Sequence, residues 1–174
     1  MFYCFKIYCH MIIRSIIIIE KYNMITIDEL KTKIDKKARL LGIDMGTKNI
    51  GISICDDKRL IATPFHTVNF ISLDSLVADL IKLIEENSIQ AIIIGDPINM
   101  DGSRGKASQS IRDKSTMISK KIEVPIVLWD ERLSTVGAFN LSSQLDVNVS
   151  KRTKNIDKNA ATFILQGAID YLNN

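Results

Sequence analysis

Apolar residues change period along this chain, and the changes mark its elements. Two runs rich in β-branched residues, Arg39–Asp44 and Asn49–Cys55, flank the turn Met45–Lys48 and predict a hairpin. A further turn at Asp56–Asp57 leads into a third strand, Arg59–Thr63, expected to stop at Pro64. The period then lengthens: Leu73, Leu76, Val77, Leu80, Ile81 and Ile84 recur at three and four, which predicts an amphipathic helix from Ser72. Ala91–Gly95 (AIIIG) is wholly apolar, as expected of a strand buried on both faces. A loop from Asp96 to Gly105, a polar helix from Lys106 to Lys121 and a buried strand, Val124–Trp129, follow. Ser134 can cap a helix to Leu145. Asp157 is placed at the start of a last helix that turns Ala160, Ala161, Ile164, Leu165, Ala168 and Ile169 inward. Ahead of the first strand, IDELKTKIDKK reads as a short leading helix within Thr26–Lys37.

The order βββ-α-β-α-β-α-α is that of an α/β domain. Right-handed crossovers set the strands beginning at Arg39, Ala91 and Val124 parallel and side by side. Their carboxyl ends then share one edge of the sheet, where ligands bind in open α/β folds.

Composition narrows this picture. With 174 residues, 46% hydrophobic and 25% charged, the chain suits one globular domain. A formal net charge of +3 makes no general case for nucleic acid, so a local basic cluster has to carry one. Cys4, Cys9 and Cys55 have no zinc-like spacing and read as reduced thiols. Residues 1–23 are rich in Ile, Phe and Tyr but are interrupted by Lys6, His10, Arg14 and Glu20. No apolar run there reaches the ~20 residues of a membrane span, and no signal-peptide pattern is clear. They are expected to be an extension ahead of a natural start at Met24, or else an extra surface strand or helix. Residues 24–174 form the functional domain.

The chemistry gathers at the carboxyl edge. The first strand ends at Asp44, the middle one at Gly95–Asp96, and the third at Asp130–Glu131, before Arg132. Asp157 can join from its helix. Singly, these acids read as turn formers, salt-bridge partners or a helix cap; their convergence on one edge argues otherwise. Carboxylates brought together repel unless a cation binds between them. Oxygen ligands select hard ions such as Mg²⁺ or Mn²⁺. Two such ions ~4 Å apart can clamp the attacking water and the leaving oxygen of a phosphodiester.

Cations lie close by. Lys48 follows Asp44 within the hairpin turn, and PINMDGSRGKAS carries Arg104 and Lys106 between glycines. SKRTKNIDK, from Ser150 to Lys158, sets Lys151, Arg152, Lys154 and Lys158 against one acid, a basic strip suited to a nucleic-acid backbone or else a solvated loop. Trp129 is expected to pack behind the site, with base stacking as the alternative. His66 is assigned no role, and Ser134 and Thr135 read as helix-start residues.

LLGIDMGTKNIGIS, IATP, IIIGDPINMDGS, PIVLWDERLST and IDKNAATFILQGAIDYL, in order from Leu40 to Leu172, resemble the YqgF/RuvX family of pre-16S rRNA nucleases, relatives of the Holliday-junction resolvases. The resemblance implies an RNase H-like fold: a five-stranded mixed sheet of order 3-2-1-4-5 flanked by helices. It also implies a cytoplasmic, metal-dependent nuclease of rRNA maturation, monomeric or homodimeric, using Mg²⁺ or Mn²⁺. By motif match, Asp44, Glu131 and Asp157 take the family's acidic positions, with Asp130 beside them. Lys48, Arg104, Lys106, Arg132, Lys151, Arg152 and Lys154 are the candidate nucleic-acid contacts. Three positions depart from the pattern. Asn49 stands where the family usually has Arg, Arg104 where it tends to an acid, and Asp96 where its GLP pattern has Leu. Asp96 is thus either an additional metal ligand or a turn former before Pro97.

Three rivals remain. GIDMGT also resembles the phosphate loop of actin/Hsp70-type ATPases, but those need two such domains and the chain has no second GxDxG-like repeat. A Holliday-junction resolvase would share the site and differ in substrate. A non-catalytic RNA-binding or transcription-associated module would need the basic strip but not the carboxylates.

Overall fold

Thr26 opens the described domain by capping helix α1, Ile27–Lys33: its hydroxyl accepts from the Glu29 amide, and the Glu29 carboxylate accepts from the Thr26 amide. The computed structural model describes residues 23–132 and 149–174, with side chains of the last helix described from residue 160. The helix expected from Ser134 to Leu145, together with Cys4 and Cys9, lies outside the described residues.

Five strands follow the anticipated order. β1 (Arg39–Met45), β2 (Asn49–Cys55), β3 (Ala62–Asn69), β4 (Ile89–Asp96) and β5 (Ile126–Asp130) form one mixed sheet, β3-β2-β1-β4-β5. β1 pairs antiparallel with β2 and parallel with β4, and β4 pairs parallel with β5. The three carboxyl ends therefore do share an edge.

β3 corrects the expectation that a strand would stop at Pro64. It runs through that residue, because β3 is an edge strand whose Pro64 sits beside a register shift in its pairing with β2. A proline there forfeits no interior ladder bond. At the opposite edge Met24 bridges Ile126 in parallel, and the Asn23 side chain donates to the carbonyls of Ile122 and Glu123.

Helix α2 (Leu73–Asn87) is capped by Ser72, whose hydroxyl accepts from the Ser75 amide. It lies with α3 (Lys106–Ser119) on one face of the sheet, over Leu41, Ile43, Ile92 and Ile94. The other face carries α1 and α4 (Val149–Asn173) over Leu40, Ala91, Ile93 and Trp129. β1 and β4 are thus buried on both sides, each fully buried Ile or Leu contributing about 1.5–3 kcal/mol of transfer free energy before entropy. Among the described residues no helix is long and apolar enough to cross a membrane.

α4 starts earlier than expected. Asp157 lies eight residues inside a helix that begins at Val149, so it is not in the first turn, and Ser150–Lys158 is helical, not a loop. Its docking follows from small residues. A Cβ on Gly42 would stand 2.6 Å from Leu165 Cβ and 2.9 Å from the Ala161 carbonyl, so only glycine lets the helix approach. The buried Ser53 hydroxyl donates to that same carbonyl at 2.7 Å.

Candidate active site at the carboxyl edge

Side chains alternate across a strand, so residues at one edge need not share a face. Asp44 stands opposite Gly51 in the hairpin register, and a Cβ on Gly51 would meet Asp44 Cβ at 3.7 Å and Ala161 Cβ at 3.5 Å. Asp44 is therefore on the α4 face. Gly95 points to the same face, where a Cβ would overlap the Glu131 carboxylate and Ile164. Glu131, the residue after β5, thus folds back over Gly95 toward Asp44.

The electrostatics bear out that proximity. The Glu131 carboxyl is pushed up to about 7, first by burial, then by the negative charges of Asp44, Asp96 and Asp130. Asp157 belongs to the helix that covers this face, one turn before Ala161. Among the described residues, no three His, Cys, Asp or Glu side chains form a group able to hold a metal ion.

Asp96 and Asp130 are register partners, and alternation sends both to the α3 face. Asp96 accepts from the Ser108 hydroxyl at Oδ1 and from Arg112 Nη1 at Oδ2, 3.0 Å away, and Arg104 Nε lies 3.9 Å from the same Oδ2. Asp130 is gripped by Arg132 through Nε and Nη2, at 3.0 and 2.6 Å. That fork holds the Asp130 carboxyl below the usual carboxylate range and raises Arg132 in turn. Arg132 also donates to the Asn99 carbonyl at 3.4 Å, tying the loop after β4 to the end of β5.

Four of the acids anticipated at the edge thus divide into two pairs, Asp44 with Glu131 toward α4 and Asp96 with Asp130 toward α3; the side chain of the fifth, Asp157, lies outside the described residues. Of the anticipated cations, Lys48, Arg104 and Lys106 are exposed around the edge, and Lys151, Arg152 and Lys154 fall in the opening turns of α4. Two participants were missed, Ser108 and Arg112. Their signal was a serine-bearing buried stripe on α3, Ser108, Ser115 and Ser119 beside Ile111 and Ile118, with Arg112 one turn after Ser108. Trp129 is 4% exposed, under Gly167 and edge-on to Tyr171, so it packs behind the site. His66 is exposed on β3.

A mixed sheet of order β3-β2-β1-β4-β5 with helices on both faces is an RNase H-like fold. The chain is similar in structure to Thermus thermophilus RuvC in complex with Holliday junction substrate, with a TM-score of 0.51 covering 77% of this chain and 94% of that one; at 11% identity the likeness is one of fold. Residues 38–171 match the family model RuvX, described as Holliday junction resolvase, and the chain belongs to that family. A Pelagibacter ubique protein named "Putative pre-16S rRNA nuclease" is 59% identical over 151 residues, 87% of this chain and all of the relative. A Rhizobium meliloti protein of the same name is 42% identical over 149 residues, 86% of this chain and 90% of its own.

Proposed function

We propose that the protein hydrolyses RNA phosphodiester bonds in maturing the 5′ end of pre-16S rRNA, in the cytoplasm, with divalent-ion assistance. The observation that carries the reading is the Asp44–Glu131 pair, with Glu131 raised to about 7 partly by its neighbour's charge. Two carboxylates in that relation fit a hard cation, which would lift the repulsion. Asp44, Glu131 and Asp157 would hold Mg²⁺ or Mn²⁺, which supplies the activation of water and the charge neutralisation that phosphodiester cleavage needs. Asp130, closed by Arg132, supports the position of Glu131 from the neighbouring residue. No ligand role is proposed for Asp96, whose two oxygens already meet Ser108, Arg112 and Arg104.

The chain's cations serve substrate binding. Lys48, Arg104 and Lys106 would neutralise phosphates at the edge, and Lys151, Arg152 and Lys154 would follow the strand along the start of α4. The rRNA substrate is favoured by the names of the relatives; the family model's description keeps a four-way DNA junction as the second reading.

The test is cleavage of a labelled pre-16S leader and of a four-way DNA junction, with Mg²⁺, Mn²⁺ or EDTA. Asp44→Asn should lose at least about 100-fold in rate, since even residues behind a metal ligand cost 10–100-fold. Faster cutting of the leader supports rRNA maturation, and faster cutting of the junction supports the resolvase. RNA binding without cutting, unchanged in Asp44→Asn, would leave a binding module.

A further inference from the structure

The loop after β4 is built to return one arginine over the end of the strand it left. Ile98 N–H donates to the Asp96 carbonyl, Asn99 N–H to Ser103, and Gly102 N–H to Asn99, with Gly102 at φ 84. Ile98 and Arg104 then bridge antiparallel. Asp101 accepts from the Ser103 amide and hydroxyl, and Arg132 holds the Asn99 carbonyl from outside. Arg104 is thereby delivered beside Asp96 from one side, and α3 delivers Arg112 from the other.

The charges do not cancel. Asp96 faces two guanidiniums, and Asp130 beside it, which also feels Arg104, is already matched by Arg132, so two carboxylates stand against three arginines. The exposures are unequal as well: the Asp96 side chain is 3% exposed, those of Arg104 and Arg112 52% and 37%. An approaching strand meets cations, not the acid. The Arg112 guanidinium, fixed through Nη1, keeps other donors in a planar fork suited to phosphate, while Arg104 is held near Asp96 by charge at 3.9 Å without a hydrogen bond.

Resting on the nuclease reading, we propose that Asp96 is a positioning residue. It sets Arg104 and Arg112 as a two-guanidinium clamp for a backbone phosphate on the α3 side of the edge, away from the bond that is cut. A carboxylate already shared among a serine and two arginines, on the face opposite Asp44, suits that role better than metal ligation.

Asp96 carries an unusual sign. Removing a negative charge near a polyanion site ordinarily tightens binding, but removing Asp96's charge should loosen it, because the clamp loses its anchor. The experiment is fluorescence anisotropy with labelled single-stranded RNA in EDTA over a salt series, using the full chain. Arg104→Gln and Arg112→Gln should each reduce the slope of log K against log salt by about 0.7. Asp96→Asn should weaken binding about tenfold, the worth of a hydrogen bond to a charged group at the low end of its range. Mn²⁺ affinity, read by calorimetry, should survive Asp96→Asn and fall in Asp44→Asn.

Equal or tighter RNA binding by Asp96→Asn, or loss of its Mn²⁺ affinity, overturns the clamp while leaving the nuclease reading intact. Should Asp96→Asn not fold, the arginine variants decide, and unchanged slopes in both overturn the clamp. Wild-type protein that binds neither RNA nor junction DNA would remove the nucleic-acid reading and the clamp with it.

Discussion

Glu131 lies over Gly95, so that a Cβ on the glycine would overlap the glutamate's carboxylate. The strand end and the residue after the next strand thus share one small volume, and the absence of a side chain at Gly95 lets Glu131 reach the Asp44 side of the sheet. Gly95→Ala should displace Glu131 while leaving the fold in place, at a cost of about 1–3 kcal/mol for overpacking. Cleavage should fall by about 10–100-fold, the usual loss when a supporting group is disturbed. Single-turnover rates set beside thermal melting separate the two effects; activity unchanged in a stable variant would remove Glu131 from the chemistry.

Glu131 also predicts a pH dependence. Its folded carboxyl is raised from 4.5 to about 7, so between those values the folded state binds more protons than the unfolded one. Stability therefore falls as pH rises through that window and levels off above it. Glu131→Gln should remove the slope and stabilise the ion-free protein at pH 8 by about 1 kcal/mol, the full shift being discounted for partial solvent exposure. Melting curves in EDTA at pH 5 and pH 8 test this. Divalent-ion affinity should run the other way, rising with pH up to about 7 as the competing proton leaves.

Asp130 carries the opposite sign. Arg132 holds its folded carboxyl below the usual 3.8, so its contribution is present above that value and is lost as pH falls through the depressed one. Asp130→Asn should cost about 1 kcal/mol at neutral pH, as expected for a bidentate pair near the surface. It should also loosen the loop that Arg132 ties through Asn99. Faster amide exchange at Asn99 and Gly102 is the expected readout; unchanged exchange would mean that the loop holds itself.

Gly42→Ala should push α4 from the sheet, because the new Cβ meets Leu165 Cβ at 2.6 Å and the Ala161 carbonyl at 2.9 Å. A destabilisation of about 1–3 kcal/mol follows from overpacking. Trp129 is the chain's one tryptophan and lies buried against α4 at Gly167, so its emission reports the helix's docking. A red shift in Gly42→Ala is expected, together with loss of cleavage, since the same helix carries Asp157. RNA should leave the wild-type emission nearly unchanged, because the indole is packed and not available to a base.

The sequence by itself determined the order of the described strands and helices and that the strands ending in Asp44, Asp96 and Asp130 share one edge, and its family resemblance implied the sheet order. Hydrophobic period separates helices from strands, and crossover handedness leaves few ways to arrange parallel strands. The period also placed a helix start at Ser72, where the hydroxyl accepts from an orphan amide. It misplaced what depends on neighbours in space. β3 passes through Pro64 because an edge position tolerates the missing donor, and α4 begins at Val149 although its polar opening has no apolar period to announce it. Only the tertiary structure decided which acids meet. β1 and β4 are buried on both faces, so their apolar runs carry no alternation from which to read a side. The pairing of Ile43 with Ile94 sets Asp44 beside Gly95, and that of Gly95 with Trp129 sets Asp96 beside Asp130. That register sends Asp44 and Glu131 to one face and gives Asp96 and Asp130 to arginines on the other. The partners Arg112 and Arg104 reach Asp96 from 16 and 8 positions away along the chain, through a helix docking and a loop closure that hydrophobic period alone does not announce.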